Sequence, residues 1–71
     1  MGKSFNTNVK HNNKIYHVQT EINNGKVTIC VFYNGMVVYR KDDNFKDYKT
    51  TLQLHKEVED KIKLGQILKN D

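Results

Sequence analysis

Ile22-Asn23-Asn24-Gly25-Lys26-Val27-Thr28-Ile29-Cys30-Val31-Phe32-Tyr33-Asn34-Gly35-Met36-Val37 is the stretch on which the fold turns. Alternating apolar residues run up to Asn24-Gly25, resume, and run up to Asn34-Gly35. A two-residue hairpin of type I′ needs positive φ at both central positions, and Asn followed by Gly meets that need at little steric cost. The two pairs predict three consecutive antiparallel strands, over about 14–22, 26–33 and 36–41. Asn12-Asn13 is a weaker turn of the same kind and adds a first strand over about 4–10. The expected sheet is a four-stranded meander.

Two-residue turns also fix which residues stand opposite one another. Across Asn34-Gly35, Tyr33 faces Met36, Phe32 faces Val37 and Val31 faces Val38. Across Asn24-Gly25, Ile22 faces Val27, Val18 faces Val31 and His17 faces Phe32. Across Asn12-Asn13, Val9 faces Tyr16 and Phe5 faces Thr20. One side then collects Phe5, Val9, Tyr16, Val18, Ile22, Val27, Ile29, Val31, Tyr33, Met36 and Val38, which makes it the core side. The other collects Ile15, His17, Gln19, Glu21, Thr28, Cys30, Phe32, Val37, Tyr39 and Lys41. That second side is too apolar for a purely solvated surface, and apolar patches of this kind mark interfaces or ligand surfaces.

From about Thr50 to Lys69 the apolar period becomes helical. Leu54, Val58, Ile62, Leu64, Gly65 and Leu68 share one stripe, opposite Lys56, Glu59 and Lys63. Thr50-Thr51-Leu52-Gln53 fits a capping box with Thr50 as N-cap. Residues 42–49 read as a polar connection pinned by Phe45 and Tyr48. The expectation is an α+β fold, a four-stranded antiparallel β-meander followed by one C-terminal helix packed on one sheet face. It is read as a single small domain over residues 1–71.

A chain of 71 residues buries only about 60% of its unfolded surface. A second copy is therefore an expected source of stability. Cys30 is the only cysteine, so no disulfide compensates. With no apolar leader and no long apolar run, that sets the expectation of a cytoplasmic protein without a membrane partner. Met1-Gly2-Lys3-Ser4 has the start of an N-myristoylation pattern, but Asn6 stands where that pattern wants Ser or Thr. The net charge of +4 is uneven. Residues 1–41 carry Lys3, Lys10, Lys14, Lys26, Arg40 and Lys41 against Glu21 alone, whereas residues 42–71 set six lysines against seven acids. A basic first half suits nucleic acid or an acidic partner. A soluble composition rich in Lys and Asn produces the same imbalance with neither.

No reaction can be read from the chain. His11, His17 and His55 invite a metal, with Glu21 or Cys30 as further ligands, but zinc needs three or four donors converging at about 2.0–2.3 Å. In the derived register these histidines lie on different faces, and no Cys-x-x-Cys or His-x-x-x-His spacing exists. His17 as base and Cys30 as nucleophile lack an oxyanion loop and a third, orienting group. The expectation is a non-enzymatic protein without cofactor, metal or catalytic residues. Its interaction surface comprises His17, Gln19, Glu21, Cys30, Phe32, Val37 and Tyr39, and it is expected to form a homodimer through the outer sheet face or the last strand. A second reading is single-stranded nucleic-acid binding on the same face, with Phe32 and Tyr39 stacking bases and Lys10, Arg40 and Lys41 meeting phosphates.

The run Tyr16-His17-Val18-Gln19-Thr20-Glu21, preceded by Phe5-x-x-x-Val9-x-His11, resembles a family of short, functionally uncharacterised bacterial proteins. Their opening is followed by a hairpin similar to Val31-Phe32-Tyr33-Asn34-Gly35-Met36-Val37, with Gly commoner where Asn34 stands. A later His-Lys-x-Met in the family is similar to His55-Lys56-Glu57-Val58, with Gly65 beyond it. The resemblance spans about positions 5–65 and implies an architecture and a set of residues of interest. It implies no activity.

Overall fold

The computed structural model describes residues 3–67. Four strands, β1 (Lys3–His11), β2 (Lys14–Asn23), β3 (Lys26–Tyr33) and β4 (Met36–Asn44), form one antiparallel sheet in sequence order, followed by α1 (Tyr48–Lys63). All three hairpins turn on two residues with positive φ: Asn12 and Asn13 at 51° and 64°, Asn24 and Gly25 at 51° and 75°, Asn34 and Gly35 at 52° and 77°. These are type I′ values, whose twist matches that of the flanking strands. The α+β meander with one helix on one face is therefore the architecture.

The registers of β1 with β2 and of β2 with β3 follow from the turns as expected. Val9 pairs with Tyr16, Phe5 with Thr20, Val18 with Val31 and His17 with Phe32. Between β3 and β4 the first two pairs also hold, Tyr33 with Met36 and Phe32 with Val37. The next does not. Val31 stands opposite Tyr39, not Val38, because a β-bulge leaves Val38 as the extra residue. An extra residue reverses the side on which every later side chain emerges. Tyr39 and Lys41, expected on the outer face, thus come to the helix side, where Tyr39 packs against the core. Arg40 and Asp42 take the outer positions opposite Cys30 and Thr28. β4 also runs on to Asn44, past the expected end at 41. Met36, expected in the core, is 56% exposed at the end of the sheet.

Asp47 caps the helix. Its extended backbone (φ −159°, ψ 170°) places its carboxylate to accept from the Thr50 N–H at 2.7 Å, and the Thr51 hydroxyl donates to its carbonyl at 2.9 Å. The expected N-cap at Thr50 is thus corrected by three residues, because a carboxylate satisfies the orphan N–H groups and favours the positive end of the helix. At the other end Gly65 (φ 74°) ends the helix. Its N–H donates to the Ile62 carbonyl at 3.0 Å, and the Gln66 N–H donates to the Lys61 carbonyl at 2.8 Å, the Schellman pattern. The helix therefore stops at Lys63, and Leu64, placed on the apolar stripe by its spacing, is exposed. The expected extension through Leu68 and Lys69 lies outside the described residues.

Val58 and Ile62 of the helix, with Ile67 beyond it, close the core over Val9, Tyr16, Val18, Ile22, Val27, Ile29 and Val31. The link from β4 is only residues 45–47. The Phe45 N–H donates to the Gly25 carbonyl at 2.8 Å, and its ring meets Tyr48 at 5.3 Å, so both aromatics pin the connection. α1 lies against β1 and β2. Among the described residues, no helix is long and apolar enough to cross a membrane.

Candidate interaction face

With α1 on one side, no element among the described residues covers the other side of the sheet. Register sets its side chains in rows of four across β1 to β4. Asn8, His17, Phe32 and Val37 form one row, then Asn6, Gln19, Cys30 and Arg40, then Ser4, Glu21, Thr28 and Asp42. Residues in such rows have Cβ atoms about 4.5–5.5 Å apart, close enough to act together.

The rows differ in chemistry. His17 is centred in the first, with its Nδ1 3.0 Å from Asn8 Oδ1 and its Nε2 3.1 Å from Asn6 Oδ1. An imidazole with two N–H groups donates to both oxygens. A neutral ring has one, and the second contact then needs one amide turned to present its NH₂. On its other side His17 meets Phe32, ring centroids 6.1 Å apart. Val37 and Ile15 extend this end of the face and are 55% and 61% exposed. The far end is acidic. The Thr28 hydroxyl donates to Asp42 at 2.7 Å and the Arg40 Nε at 3.2 Å, and together they hold the Asp42 carboxyl below the usual carboxylate range. Asp42 in turn raises the Arg40 guanidinium above its ordinary value. Cys30 is a free, half-buried thiol between these ends.

The structure brings His17, Gln19, Glu21, Cys30, Phe32 and Val37 onto this one face. Tyr39 is removed from it by the bulge and sits under Lys61, whose Nζ is 5.7 Å from the ring centroid. The residues proposed for nucleic acid are split in the same way: Lys10, Phe32 and Arg40 are outside, Tyr39 and Lys41 on the helix side. Arg40 is already engaged by Asp42. A shallow open hollow lined by Lys26, Asp42, Asp43 and Asn44 lies at the acidic end.

The other polar cluster lies under the helix, running from buried Thr20 and His55 out to exposed Thr7, and sequence reasoning missed it. His55, 6% exposed, projects from α1 between Thr7 of β1 and Thr20 of β2. The Thr7 hydroxyl donates to Glu59 Oε2 at 2.6 Å, so its oxygen must accept from His55 Nε2–H at 2.7 Å. That fixes the tautomer of the neutral ring, and Thr20 Oγ1–H donates to Nδ1 at 2.6 Å. Burial pushes the His55 pKa down from 6.5, with the Glu59 carboxylate, 3.6 Å away, opposing it. The buried polar atoms of His55 and Thr20 are satisfied from within, and the array joins the helix to both strands beneath it. A signal for it existed: Thr51, His55, Val58 and Ile62, all buried, recur at helical spacing, and Thr7 and Thr20 share the core side of the strands.

Comparison with protein-family models, with curated proteins and with solved structures gives no match.

Proposed function

We propose that this protein is a non-enzymatic interaction domain that binds a protein partner through the bare face of its sheet, acting in the cytoplasm. What supports the reading is the row Asn8, His17, Phe32 and Val37. An imidazole oriented by two asparagines stands beside an aromatic ring and exposed aliphatic groups, with no element among the described residues over them. Such a surface offers directional hydrogen bonds around an apolar centre, the arrangement of protein interfaces. The run Tyr16–Glu21, which carries the resemblance to short bacterial proteins, supplies His17, Gln19 and Glu21 to this face. The nucleic-acid reading loses support, because the bulge takes away the second stacking ring and one of the cations.

The test is photo-cross-linking in cells producing the protein, with a photoreactive side chain at position 37 or, as control, at position 53 on α1. The expected result is a defined adduct from position 37 that unmodified protein competes away and that Phe32→Ala abolishes. Adducts from position 53 alone overturn the proposal. A labelled single-stranded oligonucleotide titrated at low salt should not bind. Binding that weakens steeply with salt and is lost in Phe32→Ala decides for nucleic acid.

A further inference from the structure

Among the described residues no strand pairs with either outer edge of the sheet, and the two edges are unlike. β4 carries a bulge at Val38 and the charged run Arg40-Lys41-Asp42-Asp43, both devices that discourage strand addition. β1 has neither. Its nine residues pair with β2 without interruption, and its interior from Ser4 to Val9 is uncharged. A long, flat, uncharged edge is a template for another strand.

We infer that this edge takes a second copy of the chain, β1 against β1 across a two-fold axis at Thr7, giving one continuous eight-stranded sheet. The hairpin geometry fixes the register. In a two-residue turn the flanking pair His11 and Lys14 is hydrogen-bonded, and such pairs alternate along antiparallel strands. The odd residues of β1 therefore point their backbone groups at β2, and Ser4, Asn6, Asn8 and Lys10 point theirs outward. A two-fold axis at Thr7 is the one placement that pairs all nine residues of β1. It sets Asn6 opposite Asn8 of the other copy and Ser4 opposite Lys10, so that outward groups meet outward groups.

Apart from Glu59, whose carboxylate accepts from Thr7 and so lies beside its symmetry mate, the side chains agree with that register. On the helix side Phe5 meets Val9 of the other copy and Thr7 meets Thr7, while Lys3 meets His11. No lysine faces a lysine. α1 sits between β1 and β2 at this level, because His55 touches both Thr7 and Thr20. With strands about 4.8 Å apart, the two helices lie about 10 Å apart beside the axis, a packing distance. Tyr48 and Leu52, about half exposed on the helical turns nearest Lys3, gain cover there. The inference extends the proposed recognition face without depending on it, since the two Asn6–Asn8–His17 arrays become neighbours on one wide surface.

Sedimentation and light scattering test it. The wild type is expected at twice the monomer mass of 8.4 kDa. Asn6→Lys with Asn8→Lys sets like charges opposite one another at both positions and should give the monomer mass with unchanged circular dichroism. Asn6→Lys with Asn8→Glu sets opposite charges there and should restore the dimer. Val37→Lys, three strands from the edge, should leave it intact. A wild type still monomeric at about 1 mM, a like-charge variant that stays dimeric, or a dimer dissolved by Val37→Lys overturns the inference. The first two outcomes leave cross-linking from position 37 untouched, and the last assigns self-association to the bare face instead.

Discussion

His17 and His55 show how one residue type takes opposite roles by the parity of its position. His17 alternates outward on β2 and finds two exposed asparagines, whereas His55 falls on the buried stripe of α1 and finds two threonines. His17→Ala is expected to change unfolding free energy by less than about 1 kcal/mol in urea titration, since its partners turn to water. His55→Ala strands the buried Thr20 hydroxyl and opens a cavity, so a loss of about 2–4 kcal/mol is expected. Tyr39→Ala should be destabilising by about 1–2 kcal/mol, because the bulge packs that ring on the core. On the outer face it would do little. Acid should weaken the contribution of His55. The folded state holds His55 below its ordinary 6.5, so protons bind the unfolded chain first. The stability from a neutral His55 is complete above about pH 6.5 and is lost as pH falls through the folded value. In thermal melts the advantage of wild type over His55→Gln should therefore shrink from about pH 7.5 to about pH 5. A constant difference excludes that ring as the titrating group.

At the scale of elements, the helix caps and the β4 bulge carry the difference between expectation and structure. Asp47→Ala should lower the melting temperature and Asp47→Ser should recover most of it, while Thr50→Ala should do neither, since Asp47 and not Thr50 holds the first turn. The hairpins were legible because Asn-Gly has few alternatives to a positive-φ turn, and the first two registers followed from them. The bulge was not legible. In Met36-Val37-Val38-Tyr39 every side chain is apolar, so shifting the register by one residue leaves the pattern unchanged and alternation says nothing about an extra residue. The helix boundaries slipped for a related reason. Leu64, Gly65 and Leu68 continue the period, but Gly65 adopts the left-handed conformation that ends a helix. The outer residues on β2 and β3 were legible from parity alone. The His55 cluster was not, because it appears only when threonines and a histidine are admitted to a core.

At the scale of the whole molecule, one layer of helix covers one side of the sheet and leaves the proposed recognition surface on the other, away from the packing. Substitutions at Phe32, Val37 or Gln19 are expected to change binding with little change in melting temperature. The meander has a further consequence, in time. Each strand pairs with the one just made across a two-residue turn, so most of the sheet is local in sequence and hairpins close in about 1–10 μs. The helix joins the first two strands only after all four have been laid down, and His55 reaches back to Thr7 over 48 positions. That contact is therefore expected to form last in folding and to break first in unfolding. In stopped-flow measurements His55→Ala should speed unfolding and leave the folding rate nearly as it was.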